Sequence, residues 1–141
     1  RKYEGMTSSE AAKLRKLEVE NTRLKKLVVE RDLEIEVMKE IAASGGLIGI
    51  GYWDAAVCGN TPRNIASAIQ FGIKLVGAEH VALGSDFDGA VLSGFDTSEL
   101  IALTHELLEA GIEESDIRLV MGENLLHLVK GKIFWKYSCY D

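Results

Sequence analysis

The residues of this chain best suited by type and spacing to do chemistry are Asp86 and Asp88, in the run Ser85-Asp86-Phe87-Asp88-Gly89. Two carboxylates one residue apart can move a proton to or from a reacting group or sit beside a metal ion. Taken alone, Asp-x-Asp-Gly reads first as a turn or helix cap, because aspartate bonds nearby backbone N–H groups and glycine turns freely. It is not an EF-hand loop, which needs further oxygen ligands and a distal Glu that this run lacks. The three histidines, His80, His105 and His127, are scattered: His80 precedes a strand, and the others fall within separate helical stretches. A zinc site needs three or four convergent ligands, so surface or cap roles are expected for them. Cys58 reads as a small loop or core residue, since no histidine lies near it in sequence. Cys58 and Cys139 have the spacing of neither a disulfide framework nor a metal knuckle, and both are read as reduced thiols. Gly49 and Gly51 begin a dinucleotide-type pattern whose third position falls on Asp54, so that motif fails.

The elements that must hold Asp86 follow from the pattern around it. Val81-Ala82-Leu83-Gly84 is an apolar run of strand length, and it delivers Asp86 at its C-terminal end. A second such run, Leu47 to Trp53, is bounded by Gly45-Gly46 before it and polar residues after it. Between the two strands, Thr61 as N-cap, Pro62 at the first helical position, and Ile65, Ile69, Ile73 and Val76 at helical spacing predict a helix closed by Gly77. After the second strand, Asp96-x-x-Glu99 opens a helix expected to reach about Ala110, and a further helical stretch spans about Glu114 to Val129 with Gly122 as a break. Strand, helix, strand, helix predicts a parallel pair with a right-handed crossover. Two parallel strands leave an unpaired backbone edge on each side, so the sheet is incomplete as it stands.

Residues 1–43 have a different character. Thr7-Ser8-Ser9-Glu10 has the form of a capping box and predicts a helix start. Downstream, a heptad places Leu14, Asn21, Val28, Ile35 and Ala42 at a, and Leu17, Leu24, Arg31 and Met38 at d. In a parallel dimer each g residue faces the next e residue of the partner. Here those pairs are Lys13 with Glu18, Glu20 with Lys25, and Glu34 with Lys39, all attractive. Asn21 at an a position finds its best partner in a second Asn21, which favours two strands in one register. The expectation is a parallel homodimer through Leu14, Leu17, Asn21, Leu24, Val28, Ile35 and Met38. The competing reading is a single amphipathic helix lying on its own domain, since Leu27 and Leu33 lie off the seam and Arg31 interrupts it.

Bulk properties bound the rest. With 47% hydrophobic residues, 27% charged and one proline among 141, the chain has a globular composition, and it is well short of the roughly 250 residues of a closed (β/α)₈ barrel. Residues 1–43 carry ten Lys/Arg against nine Asp/Glu, and residues 44–141 six against thirteen, for a net charge of −6. Neither part has the basic footprint of direct nucleic-acid binding. Apolar runs are broken well before the roughly 18 residues of a membrane span, and no basic-flanked leader precedes them. No membrane partner is expected, and the expected compartment is the cytoplasm.

Two resemblances extend this reading. Lys2-Tyr3-Glu4-Gly5-Met6, the Leu-rich heptads and Glu30-Arg31-Asp32-Leu33-Glu34-Ile35-Glu36-Val37-Met38-Lys39-Glu40-Ile41 resemble the leucine zipper that closes the small first-frame protein of a class of insertion-sequence transposases. That resemblance implies pairing with itself or with a transposase zipper, behind a helix-turn-helix lying upstream of Arg1. Gly45 to Trp53, then His80 to Gly89, then Met121-Gly122-Glu123-Asn124-Leu125-Leu126 resemble the C-terminal part of membrane (renal-type) dipeptidases.

That family folds as a metal-dependent (β/α)₈ barrel in which two zinc ions activate a water against a dipeptide. The resemblance implies that the two strands are the seventh and eighth, that Asp86 is the catalytic acid/base, and that Tyr52, Trp53 and Asp88 bind substrate. The family's zinc ligands lie on strands outside this sequence. Zinc is thus implied for the intact family, and none is expected for this chain alone. The expected architecture is α/β: a coiled-coil helix over 1–43, an incomplete (β/α)₈ barrel fragment of the last two βα units over 44–130, and an unassigned aromatic tail over 131–141. The two resemblances meet at Ile41-Ala42-Ala43-Ser44.

Overall fold

A computed structural model of the chain describes Gly5, residues 7–87, Gly89 and residues 91–133. It divides into two units, Arg1–Val37 and Met38–Asp141. Helix α1, Ser8–Ala43, runs unbroken through 36 residues. Its start is the expected box: the Glu10 carboxylate accepts from the Thr7 N–H at 2.8 Å, and Thr7 Oγ1 accepts from the Glu10 N–H at 3.3 Å. Its end is set by Gly45 at φ 77°, whose N–H donates to the Ala42 carbonyl at 2.8 Å while Gly46 donates to Ile41 at 2.9 Å. Those two bonds form the left-handed cap that satisfies carbonyls a helix otherwise leaves open.

The second unit contains a two-stranded parallel sheet of β1, Ile48–Gly51, and β2, Val81–Gly84, with Ile48 opposite Val81 and Gly51 opposite Gly84. β1 is shorter than the run Leu47–Trp53 predicted for it, because the chain turns at Trp53 into a single-turn helix α2, Asp54–Val57. Helix α3, Pro62–Val76, starts and stops where expected: Thr61 accepts from the Asn64 N–H at 3.3 Å, and Gly77 closes the helix at φ 93°. Ala78–His80 makes one tight turn into β2. Thr97–Glu99 makes another, leading into α4, Leu100–Glu109, behind the Asp96/Glu99 capping box. Helices α5, Glu114–Arg118, and α6, Asn124–Ile133, are separated by Leu119–Glu123, where Gly122 departs from helical geometry.

The core gathers Tyr52, Ile65, Ile69, Val81, Leu103, Leu107, Ile117 and Val120, with Ile50 and Leu83 packed against it. These side chains come from one face of the sheet and the residue after β1, from the inner faces of α3, α4 and α5, and from the segment Leu119–Glu123. By the two-residue alternation of a strand, the opposite sheet face carries Gly49, Gly51, Ala82 and Gly84. That face is built almost wholly of glycine. The tail beyond Ile133 lies outside the described residues.

Candidate functional site

At the C-terminal end of β1 the two adjacent aromatics part company. Tyr52 is fully buried in the core, its ring 5.5 Å from that of Phe87 and 5.3 Å from that of Phe95. Its hydroxyl has no hydrogen-bond partner among the described residues, and burial pushes its pKa well above the usual tyrosine value. Trp53 is half-buried and folds the other way. A Cβ built on Gly51 would lie 2.5 Å from a carbon of the Trp53 ring, so the indole covers the glycine-lined face of the sheet at the strand's C-terminal end. Of the two residues expected at a substrate cleft, Trp53 therefore sits over the small-residue face, and Tyr52 braces the core beneath it.

Asp86 stands two residues beyond β2, exposed, with its backbone in the left-handed region at φ 55°. Aspartate tolerates that conformation better than most residues, at a cost of about 1–2 kcal/mol. Phe87 holds the turn in place: its ring packs edge-on to Tyr52 and to Phe95, the latter at 6.3 Å. The carboxylate thus projects from a backbone fixed by the residue after it. Asp88 lies outside the described residues.

The opposite, N-terminal end of the sheet is closed by polar bonds. His80 Nδ1 lies 3.1 Å from the Gly46 carbonyl oxygen, joining the chain just before β2 to the chain just before β1. The buried side chain of Asn124 donates to the Ala78 carbonyl at 2.7 Å and to the Val81 carbonyl at 2.8 Å. A cleft of about 450 Å³ at this end is lined by Leu47, Glu79, His80, Asn124, His127 and Leu128, among others. The roles of Asn124, Phe87 and Phe95 were not read from the sequence. For Asn124 the available signal was an amide within the apolar run Leu119 to Leu128.

His105 and His127 are exposed on α4 and α6, and His80 is engaged with Gly46. Among the described residues no cluster of three or more His, Cys, Asp or Glu is arranged to hold a metal ion. The donor set described here does not fit a zinc centre, and no chemical step can be routed through one. Cys58 is an exposed free thiol in the left-handed position that ends α2. No helix among the described residues is long and apolar enough to cross a membrane.

Comparison with known proteins places this geometry. A family model described as membrane dipeptidase, peptidase family M19, matches residues 22–133. Its span begins inside α1, upstream of the junction expected at Ile41–Ser44. Among curated relatives, dipeptidase verJ of Clonostachys rogersoniana is 32% identical over 99 residues, covering 67% of this chain and 26% of that protein. Dipeptidase ataJ of Aspergillus terreus is 28% identical over 108 residues, covering 71% and 26%. An uncharacterised protein from the pqqA 5′ region of Klebsiella pneumoniae is 29% identical over 109 residues, covering 71% and 40%. The chain thus spans about a quarter to two fifths of the length of the curated relatives it matches. The crystal structure of an amidohydrolase from Pseudomonas aeruginosa shares the fold, with a TM-score of 0.60 at 24% identity over 68% of this chain and 39% of that one.

Proposed function

Because the chain belongs to the membrane dipeptidase family, peptidase family M19, we propose that it is the part of a dipeptide-hydrolysing (β/α)₈ barrel carrying the last two βα units and the acid/base carboxylate. The observation that carries this reading is the placement of Asp86 just past the C-terminal end of β2, exposed and held by Phe87. Catalytic groups of such barrels come from the loops at the C-terminal ends of the strands. In that role the Asp86 carboxylate takes a proton from the attacking water and passes it to the amine as the peptide C–N bond breaks. Trp53, over the small-residue face, supports a substrate-lining position, Asp88 completes the proposed binding set, and Tyr52, expected there from the sequence, is buried in the core and acts by bracing the site from beneath. Zinc belongs to the intact barrel in this reading. The chain alone is inactive.

Zinc content and dipeptide hydrolysis of the purified chain, with Asp86→Asn as control, test the second half of this reading. Neither zinc nor turnover is expected. Stoichiometric zinc with turnover lost in Asp86→Asn would overturn it. A chimera in which residues 44–130 replace the matching segment of a family-length dipeptidase tests the first half: hydrolysis is retained, and Asp86→Asn lowers it by about 10²–10⁴-fold. A chimera indifferent to Asp86→Asn would remove the acid/base role.

A second reading is favoured by α1. A 36-residue helix with Leu17 and Leu24 of its seam exposed suits an interaction module of an insertion-sequence transposase, fused to a barrel fragment carried as passenger. The two readings overlap over residues 22–43, which the dipeptidase family also matches. Transcript mapping across Ile41–Ser44 together with co-purification of a transposase zipper would support the fusion, and failure to pair with any such zipper would remove it.

A further inference from the structure

We propose that α1 is a homodimerisation element, in which a second copy of this chain lies parallel and in register along Leu14, Leu17, Leu24, Val28 and Ile35. The inference stands on α1 alone, so it and the peptidase reading can fail separately. Along this helix Leu17, Leu24 and Val28 are 52%, 53% and 59% exposed among the described residues. With Asn21 and Arg31, the seam positions recur every three and four residues. A strict seven-residue repeat drifts by about 20° per heptad on a straight helix. Over the four heptads from Leu14 to Ala42 the drift reaches about 80°, so the stripe winds around a lone helix and forms no single face. The stripe closes only when a second helix follows it in a left-handed supercoil, and that requirement names the occupant as another heptad helix.

The polar residues of the seam choose the copy and its direction. In an antiparallel pair an a residue faces a d residue, which with the helices fully overlapped sets Asn21 against the Arg31 guanidinium instead of a matching amide. In a parallel pair Asn21 meets Asn21 and both amides are satisfied. Parallel pairing also sets Glu20 against Lys25, and Glu34 against Lys39, of the second copy. Arg31, the one charged d residue, is already accommodated: its guanidinium is ion-paired with Glu34 on the same helix, one turn on, which draws it out of the seam.

Sedimentation equilibrium of the full chain, read beside its far-UV circular dichroism, tests the proposal. The chain is expected to be a dimer in the micromolar range. Lys25→Glu turns two attractions of the dimer into repulsions and is expected to raise the dissociation constant about tenfold or more. Adding Glu20→Lys to that change restores both pairs with their signs exchanged, and affinity returns to within about threefold of the parent. Positions 20 and 25 do not face each other on one helix, so the rescue reports pairing between copies. These exposed substitutions leave the core intact, and unchanged helix content verifies it. A monomeric parent, a trimer, a dimer that Leu24→Lys leaves unweakened, or a Lys25→Glu defect that Glu20→Lys does not rescue would each overturn the proposal.

Discussion

The side-chain amide of Asn124 donates to the Val81 carbonyl at 2.8 Å, tying the first residue of α6 to the first residue of β2 across 43 positions of sequence. The same amide donates to the Ala78 carbonyl, so one buried side chain satisfies both carbonyls flanking the turn Ala78–His80 that enters β2. Replacement by alanine or leucine takes this donor from both carbonyls, of which Ala78 keeps the Val81 N–H, at about 1–3 kcal/mol before relaxation. Asn124→Leu is therefore expected to lower the unfolding free energy by about 1–3 kcal/mol in a urea titration. Glutamine, one methylene longer, should recover little of it.

Tyr52 poses the reverse case, a buried hydroxyl with no partner among the described residues. Removing a buried group that makes no bond costs nothing and relieves its desolvation, so Tyr52→Phe is expected to stabilise the fold by about 1 kcal/mol. The pH dependence has a definite sign. Burial raises the folded-state pKa above the unfolded one, so the neutral hydroxyl's contribution is fully present below the ordinary tyrosine value of about 10. It is lost as pH rises beyond that, because the unfolded state ionises first. Tyr52→Phe should accordingly flatten the alkaline limb of stability above about pH 10, seen in thermal melts at stepped pH.

Gly94 lies where the chain crosses close to the loop before α3. A Cβ at this position would lie 2.1 Å from the Asn60 carbonyl oxygen and 3.0 Å from its carbon, and backbone atoms cannot rotate aside as a side-chain tip can. Gly94→Ala is expected to destabilise by about 1–3 kcal/mol as the strand-to-helix loop shifts. Phe95, buried beside it against Tyr52 and Phe87, would move with it. Gly131→Ala, in α6 with nothing among the described residues within 4 Å of the added carbon, provides the contrast and should stabilise by up to about 1 kcal/mol.

What the sequence made legible here was local. The boxes at Thr7/Glu10 and Asp96/Glu99 and the Thr61-Pro62…Gly77 frame each use residues within a few positions or at the two ends of one helix, and all three are formed. The apolar runs gave both strands and their parallel pairing. The interactions that could not be read link distant positions: His80 with Gly46, Asn124 with Val81, and Tyr52 with Phe95. Strand periodicity places Tyr52 and Trp53 on opposite faces, but it does not say which face is the core. The glycines at 49, 51 and 84 held that information, because a face of glycines is one on which no core can be built. The left-handed backbone at Asp86 had its signal in the Asp-x-Asp-Gly run, which reads as a turn whether or not it is also a site.

The two capping boxes give the chain an acid-sensitive stability of predictable sign. Hydrogen bonds from the Thr7 backbone, then from its hydroxyl, hold the Glu10 carboxyl below its usual pKa, and those from the Ser98 hydroxyl and backbone do the same for Asp96. A carboxylate whose folded pKa is depressed contributes stability that is present above its unfolded value and lost as pH falls through the folded one. Stability should therefore decline below the ordinary carboxylate range of about pH 4. Asp96→Asn keeps an oxygen that can accept from Ser98 but cannot titrate, so it should remove that carboxylate's share of the acid limb while leaving neutral-pH helix content nearly unchanged. Asp96→Ala should lower stability at neutral pH and converge on the parent in acid. Urea midpoints at stepped pH distinguish the two, and parallel acid limbs for parent and Asp96→Asn would mean that the cap at α4 carries none of the pH dependence.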